Sequence, residues 1–193
     1  MPQQRSLRFA DDPHDRFWWH HRDGRDYVPA VYEVLTDDEW QLMEEWYAET
    51  AAIGAVGEWN PPAMSLIHGF VSGGGLSRVA QIGHYHGYSA LLVGFWLRAM
   101  GGDRLLVSAD IDAQATAFTQ RYVDRAGLRD HVRLLVCDAS TEAGIEQIVA
   151  ALGGRMPELI LRDSSHDYDE TKRELKRWIP RMASQSVMVI NGM

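Results

Sequence analysis

The chain has 193 residues, of which 46% are hydrophobic, and this is enough to bury the core of one compact domain. Nineteen basic and twenty-seven acidic side chains give a formal net charge of -8, which argues against nucleic acid or anionic lipid as a partner and favours a small molecule. The single cysteine excludes an intrachain disulfide, and no segment has the pattern of a signal peptide or a membrane span, so the sequence predicts a cytoplasmic protein without membrane contact.

The N-terminal part of the sequence is expected to form a loose arm. Residues 1 to about 26 are polar and rich in Asp, Arg and His, and they show no periodic pattern that predicts regular structure. The aromatic segment Phe17-Trp18-Trp19 within this arm could pin it to the domain or roof a substrate pocket.

Two helices are predicted after the arm. Thr36-Asp-Asp-Glu39 has the spacing of a capping box, so a helix is expected to begin near Asp37. Pro61-Pro62 opens a second helix, and the glycines at 73–75 end it. We therefore interpret residues 1–75 as an arm and helical cap and residues 76–193 as a ligand-binding region, the two forming one structural unit.

From Arg78 onward, short apolar strands alternate with helices. The predicted strands are 79–82, 105–109, 132–136, 159–161 and 187–190, and the predicted helices are 88–100, 113–126, 145–152 and 170–179. This alternation predicts an α/β fold with a doubly wound, mostly parallel sheet. Ligands bind beyond the carboxyl ends of the strands in such sheets, so the residues that follow each strand are the candidates for function.

The segment after the first predicted strand is rich in glycine. In Gln81-Ile-Gly-His-Tyr-His-Gly-Tyr-Ser89, Gly83 and Gly87 let the backbone approach a ligand, and the helix that follows offers free amides. A tight turn that needs glycine only for its backbone angles explains this segment equally well when it is considered alone.

Aspartates follow the second and third predicted strands. Asp110 can accept hydrogen bonds from both ribose hydroxyls of a nucleotide, while Asp112 is expected to cap the next helix. Asp138 could bind the exocyclic amine of adenine, although a helix-capping or solvated carboxylate is nearly as good an interpretation.

Taken together, these junctions resemble class I S-adenosylmethionine-dependent methyltransferases with the Rossmann-like methyltransferase fold, and residues 81–89 resemble the glycine motif of catechol-type O-methyltransferases. The resemblance implies that S-adenosylmethionine is the cofactor. It assigns cofactor binding to Gln81, Gly83, Tyr85, Gly87, Ser89, Asp110 and Asp138. Gln81 stands where the family usually has Glu, and its amide lacks the charge of a carboxylate.

The segment after the fourth strand resembles the Asp-x-x-His-x-Tyr motif of metal-dependent O-methyltransferases that act on natural-product sugars. It reads Asp163-Ser-Ser-His166-Asp167-Tyr168. The resemblance implies that Asp163 ligates a divalent metal such as Mg²⁺ and that His166 takes the proton from a substrate hydroxyl, a role suited to an imidazole. The residues alone leave open that Asp163 and Asp167 cap the following helix.

The end of the fifth strand departs from the metal-dependent pattern. Those relatives place two adjacent ligands there, whereas this chain has Asn191 and Gly192, so metal binding is expected to be weak or absent. The chain then ends at Met193, where the resembled fold adds further strands. The sequence is therefore expected to lack the last strands, either as a truncated piece or as a short form whose sheet edge another subunit or the N-terminal segment covers.

The sequence thus predicts a methyltransferase that acts on a hydroxyl of a small molecule, such as a natural product. One alternative is a degenerate or truncated domain that binds nucleotide without catalysis. Another is an NAD-dependent oxidoreductase, although the first turn has G-x-x-x-G-x-S in place of G-x-G-x-x-G. A homo-oligomer is compatible with the sequence. The pairs His20-His21 and His84/His86 lack a recognised metal-ligand spacing.

Overall fold

The structure is a computed structural model that describes residues 29–191. The predicted arm with Phe17-Trp18-Trp19, and also Gly192 and Met193, lie outside these residues. The helices are α1 (Ala30–Glu33), α2 (Asp37–Ala52), α3 (Pro61–His68), α4 (Tyr88–Met100), α5 (Ala113–Arg125), α6 (Glu142–Ala151) and α7 (Tyr168–Trp178). The strands are β1 (Arg78–Ile82), β2 (Leu105–Asp110), β3 (Val132–Val136), β4 (Leu159–Arg162) and β5 (Val187–Ile190).

The capping box at the start of α2 is confirmed. Thr36 Oγ1 accepts a hydrogen bond from the Glu39 amide at 3.3 Å, and the Thr36 amide donates to Glu39 Oε2 at 2.7 Å. Helix α1 was not predicted, because its four residues are too few to show a helical period.

Helix α3 begins at Pro61 as predicted, but its α-helical part ends at His68, before the glycines that were predicted to end it. Asn60 Oδ1 accepts from the Ala63 amide at 3.0 Å, and Pro61 occupies the first turn, where its missing N–H has no cost. The helix then continues as a π-helical turn over Gly69–Gly73, which the sequence did not indicate. Gly75 follows with a φ of +70° and ends the segment.

The five described strands form one sheet in the order β3-β2-β1-β4-β5, and all four pairings are parallel. The chain moves outward from β1 to β3 and then returns to place β4 on the other side of β1. This reversal confirms the doubly wound α/β fold and creates a crevice between β1 and β4 at their carboxyl ends.

The sheet has a hydrophobic core on each face. One core contains the N-terminal helices, α4, α5 and the inward side chains of Val79, Leu106, Val132 and Leu159. The other contains α6, α7 and the alternate side chains Ala80, Val107 and Ile160. Strands covered on both faces are expected to be largely apolar, and the central strands β1, β2 and β4 are apolar apart from Arg78, Gln81, Ser108, Asp110 and Arg162.

Two helices begin earlier than their apolar periods predicted. Helix α6 begins at Glu142 because Thr141 Oγ1 accepts from the Gly144 amide at 3.1 Å. Helix α7 begins at Tyr168 because Asp167 Oδ1 accepts from the Glu170 amide at 2.9 Å. Neither first turn shows a helical apolar period, so an apolar pattern cannot locate the helix starts, whereas the capping residues do.

Among residues 29–191, no helix is both long enough and apolar enough to cross a bilayer.

Candidate functional site

A cavity of about 770 Å³ lies at the carboxyl ends of β1 to β4. Its volume is in the range of small-molecule and cofactor sites. The cavity is bounded by the loops that follow these strands and by the loop between α2 and α3. Its lining includes Val56, Gly57, Gly83, Tyr85, Asp110, Ile111, Asp138, Ser165, His166 and Asn191.

The glycines after β1 are required by packing within the fold. Gly83 has a φ of +82°, and a Cβ atom there would lie 2.1 Å from the carbonyl oxygen of Asp163 after β4. At Gly87, with a φ of +90°, a Cβ atom would meet the Thr119 side chain. Tyr85 between them also has a positive φ, of 46°, which is uncommon for an aromatic residue. The tight turn and the close approach to neighbouring elements are therefore both present.

Asp110 ties the end of β2 to the glycine loop. Its Oδ2 accepts from the amides of His84 at 2.9 Å and Tyr85 at 2.8 Å, and its Oδ1 accepts from the Asp112 amide at 2.9 Å. An ionised carboxylate offers about four acceptor positions, so these three bonds leave capacity for a ligand hydroxyl. Asp110 lies in the lining of the crevice, as a ribose-binding residue must.

The neighbouring aspartates have separate roles. Asp112 caps α5, with its Oδ1 accepting from Gln114 at 2.7 Å and Ala115 at 3.0 Å, and these amides lower the pKa of its carboxyl group. Asp138 is exposed in the crevice, where its Oδ1 accepts from the Ser140 amide at 2.9 Å. Thr141, and not Asp138, caps α6.

Sequence reasoning missed Ile111, whose side chain is 77% exposed although it is apolar. It lies between Asp110 and Asp112 at the rim of the crevice. An apolar residue between two aspartates directly after a strand was the available signal. An exposed isoleucine at this position offers a flat apolar surface to a ligand ring.

Gln81 lies beneath the glycine loop and not in the crevice lining. Its Nε2 donates to the Gly83 carbonyl at 2.9 Å and to Ser89 Oγ at 2.6 Å, and the residue is 1% exposed. The amide is thus suited to this position, because the carboxylate of a glutamate could not donate to a carbonyl. Gln81 supports the loop from below, while its predicted direct contact with a cofactor stays a prediction.

We expect Gln81→Glu to lower the free energy of unfolding by about 1–3 kcal/mol, since it removes the donor to Gly83 and buries a charge beside a carbonyl. Urea denaturation at pH 7 measures this change. Gln114→Glu is the matched control, because Gln114 is exposed in the first turn of α5, where a carboxylate is favourable. Equal stability of the Gln81 variant and the wild type would contradict the role of the amide.

His84 forms a buried polar cluster behind the loop. Its Nδ1 lies 3.0 Å from Ser108 Oγ and its Nε2 lies 3.0 Å from Thr116 Oγ1. Burial lowers the pKa of His84 to about 4, although the negative charges of Asp110 and Asp112 oppose this shift. The imidazole is therefore neutral near pH 7 and connects β2 and α5 to the glycine loop.

The low pKa of His84 predicts acid sensitivity. The unfolded state binds a proton on this histidine near pH 6.5 and the folded state only near pH 4, so its contribution to stability is present above pH 6.5 and lost as the pH falls toward 4. Between pH 7 and pH 5 the free energy of unfolding of the wild type should fall by about 2 kcal/mol more than that of His84→Gln. Denaturant titrations at both pH values test this, and parallel losses in the two proteins would contradict it.

The crevice lining also contains a cluster of three polar side chains, Asp163, His166 and Asn191. Asp163 Oδ1 accepts from Asn191 Nδ2 at 3.1 Å and lies 3.7 Å from His166 Nε2. Burial raises the pKa of Asp163, and Asn191, Trp59 and His166 partly oppose that effect. The His166 side chain is 64% exposed and open to a substrate. Asp167 caps α7, so the capping alternative is correct for Asp167 and wrong for Asp163.

Asp163 and Asn191 do not fit a divalent cation. Across residues 29–191, no three His, Cys, Asp or Glu side chains are grouped so that they could hold a metal ion. Asn191 also presents its N–H, and not its oxygen, to Asp163. A hard dication prefers several oxygen ligands, so we derive no metal-dependent step from these two residues. His84 and His86 likewise belong to no metal-binding group among residues 29–191.

Comparisons with known proteins agree with this geometry. The sequence profile of a family described as "Methyltransferase domain" matches residues 80–192. An O-methyltransferase from Bacillus cereus in complex with S-adenosylhomocysteine has a TM-score of 0.65 at 18% identity, covering 82% of this chain and 68% of its own. A methyltransferase from Podospora anserina with S-adenosylhomocysteine bound has a TM-score of 0.65 at 15% identity. The match covers 95% of this chain and 70% of the Podospora anserina protein. No curated protein shows a significant sequence match. At these identities the structural likeness shows the fold.

Proposed function

This chain belongs to the methyltransferase-domain family, and from that premise we propose that it transfers a methyl group from S-adenosylmethionine to a hydroxyl of a small molecule. The observation that carries the proposal is that one crevice contains both a nucleotide-type acceptor, Asp110, and an exposed imidazole beside a carboxylate, His166 with Asp163. Family membership favours this activity over the nicotinamide-dependent alternative.

The residues of the crevice suit S-adenosylmethionine. Asp110 has acceptor capacity for one ribose hydroxyl, Ile111 offers an apolar surface to adenine, and Asp138 can accept from the adenine amine. The carboxylates in the lining favour a cofactor that carries a positive sulfonium. Both similarly folded proteins described above hold S-adenosylhomocysteine, which supports the same choice. When bound, the cofactor supplies an electrophilic methyl group.

His166 is the group we assign to proton transfer. Its exposed imidazole can accept the proton of an acceptor hydroxyl, which is a poor nucleophile until it loses that proton. Asp163 lies 3.7 Å away and stabilises the imidazolium that results. The chain's own residues thus provide the base and its counter-charge.

The acceptor end of the crevice is bounded by the loop between α2 and α3. Val56 and Gly57 of this loop line the same cavity as His166 and Tyr85. We propose a small hydroxylated acceptor there, such as a natural product. A cytoplasmic location, assembly into a homo-oligomer and the absence of a nucleic-acid partner stay predictions from the sequence.

Calorimetry with S-adenosylhomocysteine and a methyl-transfer assay test this function. We expect binding heat and a raised melting temperature, and label transfer from S-adenosylmethionine to at least one member of a panel of catechols, flavonoids and sugars. The absence of both heat and thermal shift at millimolar ligand, with folded protein, would overturn the proposed cofactor. Binding without transfer to any panel member would favour the catalytically degenerate alternative.

A further inference from the structure

The Asp163 carboxylate is surrounded by hydrogen-bond donors. Asn191 Nδ2 donates to its Oδ1 at 3.1 Å, and the indole N–H of Trp59 donates to the same carboxylate. His166 Nε2 lies 3.7 Å from Oδ1. The Asp163 side chain is only 17% exposed, so these neighbouring side chains, more than bulk water, decide what the carboxylate can bind.

A divalent cation at Asp163 would meet N–H groups instead of oxygen ligands. A hard cation needs several oxygen lone pairs directed at it, whereas Asn191 and Trp59 direct N–H groups at the carboxylate. An indole has no acceptor atom, so Trp59 cannot turn into a ligand. Gly192, which follows Asn191 in the sequence, has no side chain to supply one. The donors around Asp163 therefore suit a carboxylate that pairs with a protonated imidazole and not one that ligates a metal.

This donor set limits which hydroxyl groups can react beside His166. A metal ion can lower the pKa of a bound oxygen acid from about 16 to about 7. Without that help an alkyl hydroxyl is about as weak an acid as water, whereas a phenol has a pKa of about 10. A free imidazole accepts a proton near pKa 6.5, roughly 3–4 units below a phenol and roughly 9 below an alkyl hydroxyl. A phenol is therefore the better acceptor for a site that has an imidazole alone.

The walls of the cavity near His166 favour the same class of acceptor. Val56 is 40% exposed and Tyr85 is 45% exposed, and both line the cavity that contains His166. Exposed aliphatic and aromatic surfaces of this kind pack well against an aromatic ring. A sugar would place polar hydroxyl groups against these surfaces and leave them without partners there.

We propose that this chain methylates the hydroxyl of a phenol without a divalent metal, and that it requires one acidic hydroxyl and not an adjacent pair that could chelate a cation. This inference rests on the proposed function and names its acceptor class. The acceptor oxygen forms its bond to the methyl carbon while the carbon–sulfur bond of S-adenosylmethionine breaks, and the electron pair of the broken bond stays on sulfur. The hydroxyl proton passes to His166, and Asp163 stabilises the positive charge that the imidazole gains.

Label transfer from S-adenosylmethionine to a matched panel of acceptors tests the acceptor class. For ring systems of one, two and three rings, the panel contains the phenol, the catechol and the saturated alcohol. We expect kcat/KM for each phenol within about tenfold of its catechol, and at least roughly a hundredfold above its saturated alcohol. Millimolar EDTA or MgCl₂ should change these values by less than about twofold. Activity that EDTA abolishes and MgCl₂ restores would overturn the inference, and so would a preference for the saturated alcohols.

Mn²⁺ binding, followed by electron paramagnetic resonance, tests the donor set without an activity assay. Asn191→Asp replaces an N–H donor with a second carboxylate beside Asp163, and it should bind Mn²⁺ at least roughly tenfold more tightly than the wild type. Asn60→Asp is the matched control, because it adds the same charge at the amino end of α3, outside the crevice lining, and should bind Mn²⁺ as the wild type does. A wild type that binds Mn²⁺ as tightly as Asn191→Asp would overturn the inference.

The outcomes separate this inference from the proposed function. If the wild type transfers a methyl group only to catechols, and only with added metal, the proposed function stands and the metal-independent acceptor class is wrong. If the folded wild type transfers a methyl group to no acceptor under either condition, the proposed function fails and the inference fails with it.

Discussion

Asp110→Ala is expected to abolish measurable S-adenosylhomocysteine binding and to lower the free energy of unfolding by about 2–4 kcal/mol. The carboxylate accepts three backbone amides, from His84, Tyr85 and Asp112, and these hold the glycine loop against the end of β2. Removing it leaves the amides without their acceptor and removes the proposed ribose contact. Calorimetry measures the first effect, and urea denaturation measures the second.

Asp112 provides the matched control for Asp110. It is an aspartate two residues away that caps α5 and is not part of the crevice lining. Asp112→Ala should cost about 1 kcal/mol of stability, as the loss of a helix cap does, with unchanged S-adenosylhomocysteine affinity. Asp110→Asn should fall between the wild type and the alanine variant, because one carbonyl oxygen remains. Normal binding by Asp110→Ala would contradict the ribose assignment.

His166→Ala is expected to reduce kcat for methyl transfer by roughly 10²- to 10⁴-fold, the range that a general base contributes. The affinity for S-adenosylhomocysteine should change by less than about twofold, because the assigned role of His166 is toward the acceptor hydroxyl. The measurement is methyl transfer under saturating acceptor, using the panel member with the highest turnover, together with calorimetry of the same variant.

The control for His166 is a histidine at the other end of the sheet. His131 lies just before β3 and its Nδ1 is 3.0 Å from the Arg104 carbonyl, so His131→Ala should retain kcat. A His166→Ala protein that is folded, binds S-adenosylhomocysteine and retains wild-type kcat would show that another group accepts the proton.

Much of the fold follows from local patterns in the sequence. The alternation of short apolar strands with amphipathic helices predicts the doubly wound sheet, because strands covered on both faces are largely apolar and parallel strands need crossover helices. The capping box at Thr36 and the cap at Asp112 could also be predicted from the sequence, since both depend on residues within four positions of one another.

Only part of the candidate site could be predicted from the sequence in the same way. The sequence placed four polar residues at one sheet edge, because each lies at the carboxyl end of a parallel strand or a few residues after it. These are Asp110, Asp138, Asp163 and His166. The role of Gln81 could not be predicted from the sequence. Whether its side chain faces the crevice or lies beneath the loop depends on contacts with Gly83 and Ser89 in the folded turn.

The sequence by itself determined the order of strands and helices along the chain, the caps at Thr36 and Asp112 and the set of polar residues at the carboxyl edge, since these depend on neighbours in the chain. Only the tertiary structure decided that Asn191 turns its N–H toward Asp163, that His84 is buried against Ser108 and that Trp59 lies at the amino end of α4. Each of these contacts joins residues 24 or more positions apart, and which of many such pairs meet is set by packing of the whole domain and not by any local propensity.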